Sequence, residues 1–99
     1  MSKFTFKILW LENNIAIAID YIVGKHTSPL TSYFFWPRND AWEQLKIELE
    51  SKPWITEDEK IELLNQATEI INFWQEKGKN ESLLQVQEKF PQFNFVGSN

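Results

Sequence analysis

Phe4-Thr5-Phe6-Lys7-Ile8-Leu9-Trp10-Leu11-Glu12-Asn13-Asn14-Ile15-Ala16-Ile17-Ala18-Ile19-Asp20-Tyr21-Ile22-Val23 is the stretch that decides the fold. Residues 3–11 alternate, with Phe4, Phe6, Ile8 and Trp10 on one side and Thr5, Lys7, Leu9 and Leu11 on the other. Residues 15–23 alternate again, setting Ile15, Ile17, Ile19 and Tyr21 against Ala16, Ala18, Asp20 and Ile22. A period of two in β-branched and aromatic residues marks a strand with one buried face. Glu12-Asn13-Asn14 is turn chemistry, because Asn tolerates positive φ and bonds its own backbone. The two strands therefore make an antiparallel hairpin. Asp20 stands among apolar neighbours. It reads either as an edge-strand charge that blocks aberrant pairing or as a salt-bridge partner across the hairpin.

Outward from the hairpin, Gly24-Lys25-His26-Thr27-Ser28-Pro29-Leu30-Thr31 reads as a loop, broken by Gly, Ser and Pro. Residues 31–36 read as a third strand, which Pro37 stops by removing a ladder donor. Asp40, with Glu43 three residues on, caps a helix over about residues 41–51 whose stripe is Trp42, Leu45 and Leu49. Thr56 and Glu59 form a second capping box, and Glu57 and Asp58 suit the positive end of a helix. That helix covers about residues 57–76, with Ile61, Leu64, Ala67, Ile71 and Trp74 as main stripe, widened by Leu63, Ile70 and Phe73. Gly78 stops it. A third helix covers about residues 80–89, anchored by Leu83, Leu84, Val86 and Phe90. Residues 92–96 alternate and either pair as a short strand or wait for a partner to order them. The expected fold is α+β: a small three-stranded antiparallel sheet packed on one face by two to three helices. The expected organisation is a single domain over 1–99, with a core at about 3–77 and a C-terminal helix and tail at about 78–99.

Composition narrows the function. The chain has 99 residues, no cysteine, five tryptophans and a net charge of −4. Disulfides and thiolate metal sites are excluded, and no apolar run approaches the roughly 18 residues of a membrane span. The start of the chain lacks the apolar core of a signal peptide and the Arg- and Ser-rich character of a transit segment. The acidic sum speaks against a generic nucleic-acid binder, but it hides an asymmetry. Residues 1–39 carry +2 and residues 40–77 carry −6. An acidic helical half beside a mildly basic strand half can face a cationic partner and a phosphate at once; a solvated helix face with scattered lysines is the plainer account.

The densest stretch is Tyr33-Phe34-Phe35-Trp36-Pro37-Arg38-Asn39-Asp40-Ala41-Trp42-Glu43-Gln44-Leu45. Four adjacent aromatics exceed what one face of one strand buries, so a second core or a partner surface is implied. Nothing in it pairs a nucleophile with a base. His26 is the only histidine, so no His–His metal pair exists; it reads as an exposed loop residue, or as a phosphate or base-edge contact beside Lys25. Glu57-Asp58-Glu59 lacks the ligand spacing of a calcium loop. Arg38, the only arginine, suits bidentate phosphate recognition and aromatic stacking, or a salt bridge to Asp40 or Glu43. No phosphate loop, dinucleotide fingerprint or nucleophile elbow is present. No catalytic residue, metal site, cofactor or small-molecule substrate is expected.

The segments Phe6-Lys7-Ile8-Leu9-Trp10-Leu11-Glu12, Asn14-Ile15-Ala16-Ile17-Ala18-Ile19-Asp20, Gly24 to Thr31, Tyr33 to Leu45, Ser51-Lys52-Pro53-Trp54-Ile55 and Ile61-Glu62-Leu63-Leu64-Asn65-Gln66-Ala67 resemble the plastid-specific ribosomal protein three family. This is a small-subunit ribosomal protein family of plastids and cyanobacteria. The resemblance covers roughly residues 4–76. It implies a non-catalytic component of the small (30S) subunit that contacts 16S rRNA and neighbouring ribosomal proteins, a monomer when free and not membrane-bound. It also implies the cytoplasm of a cyanobacterium or the plastid stroma, with no transit segment before Met1. The physical reading assigns RNA contacts to Lys3, Lys7, Lys25, His26 and Arg38, and partner anchors to Tyr33, Trp36 and Trp54. The alternative is an adaptor that binds only protein through its aromatic surface.

Overall fold

The computed structural model describes residues 3–96, apart from the side chain of Lys79; residues 97–99 of the expected tail lie outside it. The hairpin forms as its alternation requires: β1 (Phe4–Trp10) pairs antiparallel with β2 (Ile15–Val23). The register sets Phe6 opposite Ile19, Ile8 opposite Ile17 and Trp10 opposite Ile15, all on one face.

The expected loop over 24–31 is in part a strand, β3 (His26–Pro29), which pairs antiparallel with residues 20–23 of β2. Gly24 and Lys25 form a two-residue hairpin turn in which Gly24 takes φ +60°, the sign such a turn needs at its first position. The expected strand over 31–36 shortens to β4 (Phe34–Trp36), paired with residues 15–17 of the same strand β2. Between β3 and β4 the register slips by two residues, and residues 30–33 bulge from the sheet. Thr31 repairs the ladder there: its hydroxyl accepts the Ile19 N–H at 3.1 Å, and the Ile19 carbonyl accepts from Leu30 and Thr31 at 2.9 and 3.1 Å. β2 is thus internal, with β1 on one side and β3 and β4 on the other. Asp20 is no edge charge.

The helices follow their caps. α1 (Ala41–Glu50) starts at Asp40, and α2 (Glu57–Lys77) starts at a complete Thr56–Glu59 capping box. A 3₁₀ turn at Gly78–Asn80 leads to α3 (Leu83–Lys89), which begins at a Ser82–Gln85 capping box that shortens the helix expected from residue 80. β5 (Asn94–Val96) then runs parallel to β1. The fold is α+β, but the sheet is five-stranded and mixed rather than three-stranded and antiparallel. The cause is in the two edges: a strand broken by a bulge on one side, a returning C-terminal strand on the other.

The core lies between the helices and the Phe–Ile face of the hairpin. Phe6, Ile8, Ile15, Ile17, Ile19, Leu45, Leu49, Ile70 and Val86 are its largest fully buried side chains. α2 is rotated from its expected stripe: Leu63, Ala67, Ile70 and Ile71 are buried, while Ile61 is 52% exposed. Phe90 and Phe93 join the same core from the C-terminal segment. Three tryptophans act as long-range ties, each donating its indole N–H to a backbone carbonyl: Trp10 to Gly78 at 3.2 Å, Trp42 to Leu64 at 3.3 Å and Trp74 to Leu11 at 3.1 Å. The donor that burial would otherwise orphan is satisfied in each case.

Candidate functional site

The second face of the sheet decides what the molecule presents. The register puts Thr5, Lys7 and Leu9 of β1, Ala16, Ala18 and Asp20 of β2, Phe35 of β4 and Asn94 and Val96 of β5 on it. None of these belongs to the helix-packed core. Ala16 and Ala18 are nevertheless 0% and 1% exposed. Phe35 projects to this face because Phe34 and Trp36 alternate inward against the core, and the Tyr33 ring reaches it from the bulge beside Lys7. The Lys7 ammonium sits 5.6 Å from the Tyr33 ring centroid, and the Arg38 guanidinium 4.7 Å from that of Phe35. Two aromatic rings on this face therefore each have a cation beside them, a cation–π arrangement worth most where solvent is partly excluded.

Lys7 has a second role. Its Nζ lies 3.4 Å from Oδ1 of Asp20, whose side chain is only 7% exposed. That oxygen makes no hydrogen bond among the described residues, so the lysine charge itself compensates the buried carboxylate. Of the two readings of Asp20, the cross-hairpin ion pair is the one realised. Arg38 differs. Among the described residues no carboxylate pairs with its guanidinium, neither Asp40 nor Glu43, and its backbone N–H donates to Asn14 Oδ1 at 3.3 Å. The residue is anchored by its main chain and leaves its charge exposed.

The other expected contacts are scattered. Lys25 and His26 are exposed at the β2–β3 turn, at the far end of β2 from Arg38, roughly 25–30 Å away at about 3.3 Å per residue. Lys3 reaches the opposite layer, where its Nζ bridges Glu59 of α2 at 2.9 Å. The Glu59 hydrogen bond and charge hold the Lys3 ammonium above its ordinary value. The Thr56 backbone N–H first, and then Lys3, hold the Glu59 carboxyl below its own. A depressed carboxylate contributes stability above its ordinary value of 4.5 and loses it as pH falls, while a raised lysine contributes below 10.5 and loses it as pH rises. Glu59→Gln keeps the cap but removes the charge. It is expected to lower the melting temperature slightly at pH 7, with the difference closing below the carboxylate range in thermal scans.

The three expected anchors do not meet. Tyr33 is on the open sheet face. Trp36 packs against the core and, with Trp42, walls a cleft of ≈ 310 Å³ whose rim includes Asp40, Thr68 and Gln75. Trp54 is 50% exposed and stacks on Phe4 and edge-on to Tyr21, with centroids 6.3 and 5.1 Å away. So Lys7, Tyr33 and Arg38 come together; Lys3, Lys25, His26, Trp36 and Trp54 do not join them. Phe35 completes the cluster and was absent from the expected set. Its signal was the alternation of 33 and 35 against 34 and 36. Among the described residues no group of three or more His, Cys, Asp or Glu side chains is placed to hold a metal, and no helix is long and apolar enough to cross a membrane.

Sequence comparison gives this geometry a context. The profile of the plastid and cyanobacterial ribosomal protein (PSRP-3 / Ycf65) family matches residues 30–77. The chain is 78% identical over 99 residues to the small ribosomal subunit protein cS23 of Gracilaria tenuistipitata var. liui, covering 100% of both. It is 60% identical over 99 residues to a probable small ribosomal subunit protein cS23 of Synechococcus sp. (strain JA-2-3B'a(2-13)), covering 100% of this chain and 99% of that one. With the cS23 protein of Mesostigma viride it shares 54% identity over 96 residues, which is 97% of this chain and 78% of the relative. The similarity thus runs past residue 76 into the C-terminal segment that carries no recognised motif.

Proposed function

We infer the function from one premise: the chain belongs to the plastid and cyanobacterial ribosomal protein (PSRP-3 / Ycf65) family. It is a structural, non-catalytic component of the small ribosomal subunit and serves translation. It is seated against 16S rRNA and neighbouring ribosomal proteins, in the plastid stroma or the cyanobacterial cytoplasm, and is a monomer when free. The observation that carries this reading is 78% identity, over all 99 residues, to a small ribosomal subunit protein.

The two faces support it. The sheet half carries +2 and the segment from Asp40 to Lys77 carries −6. A body between RNA and basic protein needs this division, because each layer then meets the opposite charge. Lys7, Lys25, His26 and Arg38 serve the RNA side; Lys3, already bridged to Glu59, is the weakest of the set. Trp36 and Trp54 serve protein neighbours.

Sedimentation of tagged protein from native lysate through sucrose gradients tests the reading. Comigration with the small subunit at low salt and partial release at high salt are expected. The log–log salt slope should be shallow, about −2, because few exposed cations displace counterions. Arg38→Ala should weaken the association without changing the melting temperature. Association that survives ribonuclease favours the protein-only adaptor, and protein that stays at the top of the gradient sinks the ribosomal assignment.

A further inference from the structure

We propose that the open sheet face is a base-stacking platform, on which Tyr33 and Phe35, flanked by Lys7 and Arg38, take two splayed bases of an unpaired RNA strand. This rests on the ribosomal reading above and names the partner of one face within it. Ala16 and Ala18 are fully covered yet contribute only methyl groups. Phe35 stands opposite Ala16 in the register, and neither Tyr33 nor Phe35 belongs to the helix-packed core.

The charges select the occupant. The one acid that the register puts on this face, Asp20, is buried and held by Lys7 at 3.4 Å. Arg38 is exposed, and among the described residues no carboxylate pairs with it. A guanidinium over an aromatic ring offers donors to a phosphate and a surface to a base. A protein partner would look for apolar anchors, and among the described residues the exposed large apolar side chains, Val23, Ile47, Trp54, Ile61 and Leu84, are not among those that the register puts on this face. Chemistry selects the form of the RNA: bases paired in a duplex keep their faces stacked on one another, whereas an unpaired strand lays its bases on aromatic rings.

Ultraviolet cross-linking of the full-length protein bound to small subunits, followed by digestion and mass spectrometry, tests this directly. Nucleotide adducts are expected on the peptide that contains Tyr33 and Phe35. Tyr33→Leu and Phe35→Leu keep an apolar side chain at each position while removing the ring. Each is expected to weaken subunit binding about tenfold, with the melting temperature checked in parallel. Adducts only on other peptides, protein cross-links at this face, or Leu variants that bind as wild type overturn the platform and leave the ribosomal reading standing. Failure of the wild-type protein to cosediment at all overturns the ribosomal reading, and the platform with it.

Discussion

Phe93→Ala is expected to destabilise the protein by about 3–5 kcal/mol, the usual cost of truncating a buried phenylalanine. Phe93 lies outside the recognised motifs, yet it is 2% exposed. Its ring meets Phe6 edge-on at 5.3 Å and stacks on Phe90 at 5.5 Å, and Phe90 meets Phe73 of α2 at 5.2 Å. The Phe93 carbonyl also accepts a hydrogen bond from Gln87 Nε2 at 3.0 Å. Removing the ring opens a cavity bordered by β1, and neighbours in a close-packed interior relax only partly into it. Domains are typically stable by only about 5–15 kcal/mol, so the variant should sit near its unfolding limit. Urea denaturation reads the effect. A loss under about 1 kcal/mol would mean that the C-terminal segment does not share the cooperative core.

Lys7→Met is the second large effect, expected at about 2–4 kcal/mol. The loss arises because the substitution strands the Asp20 carboxylate rather than because it removes a strong attraction. Breaking a buried pair typically costs about 3–5 kcal/mol, and the lower figure here allows for the lysine side chain being 27% exposed. The double variant Lys7→Met with Asp20→Asn should recover most of the loss, since a neutral amide is far cheaper to bury than an unpaired charge. A double-mutant cycle by chemical denaturation checks it; purely additive costs would show that the pair is not coupled. Because Lys7 also lies over Tyr33, the same substitution should loosen the candidate RNA face, coupling fold to surface through one side chain.

Much of this was legible from local pattern. The hairpin, the Asp40 cap and the Thr56–Glu59 capping box are each specified by residues within a few positions of one another. The Ser82–Gln85 box was equally local and shows how a fixed spacing can be read past. α2 was harder, because apolar residues at 61, 63, 64, 67, 70, 71, 73 and 74 ring most of the helix. Periodicity alone could not choose which of them face the sheet, and packing left Ile61 in solvent.

The candidate site shows the same division. Sequence alone determined that Arg38 is the chain's lone guanidinium and that charge is divided between the halves. These follow from chain geometry and composition, which need no partner. Only the tertiary structure decided that β5 returns parallel to β1, that the bulge at 30–33 lets β3 and β4 pair in turn with β2, and that Lys7 meets both Asp20 and Tyr33. It also decided that Lys3 is bound to α2 while Arg38 meets no carboxylate among the described residues and stands beside Phe35. Each of these depends on which distant surfaces exclude water together. That is a property of the packed whole, since burial and charge compensation act between residues that the chain brings close only by folding.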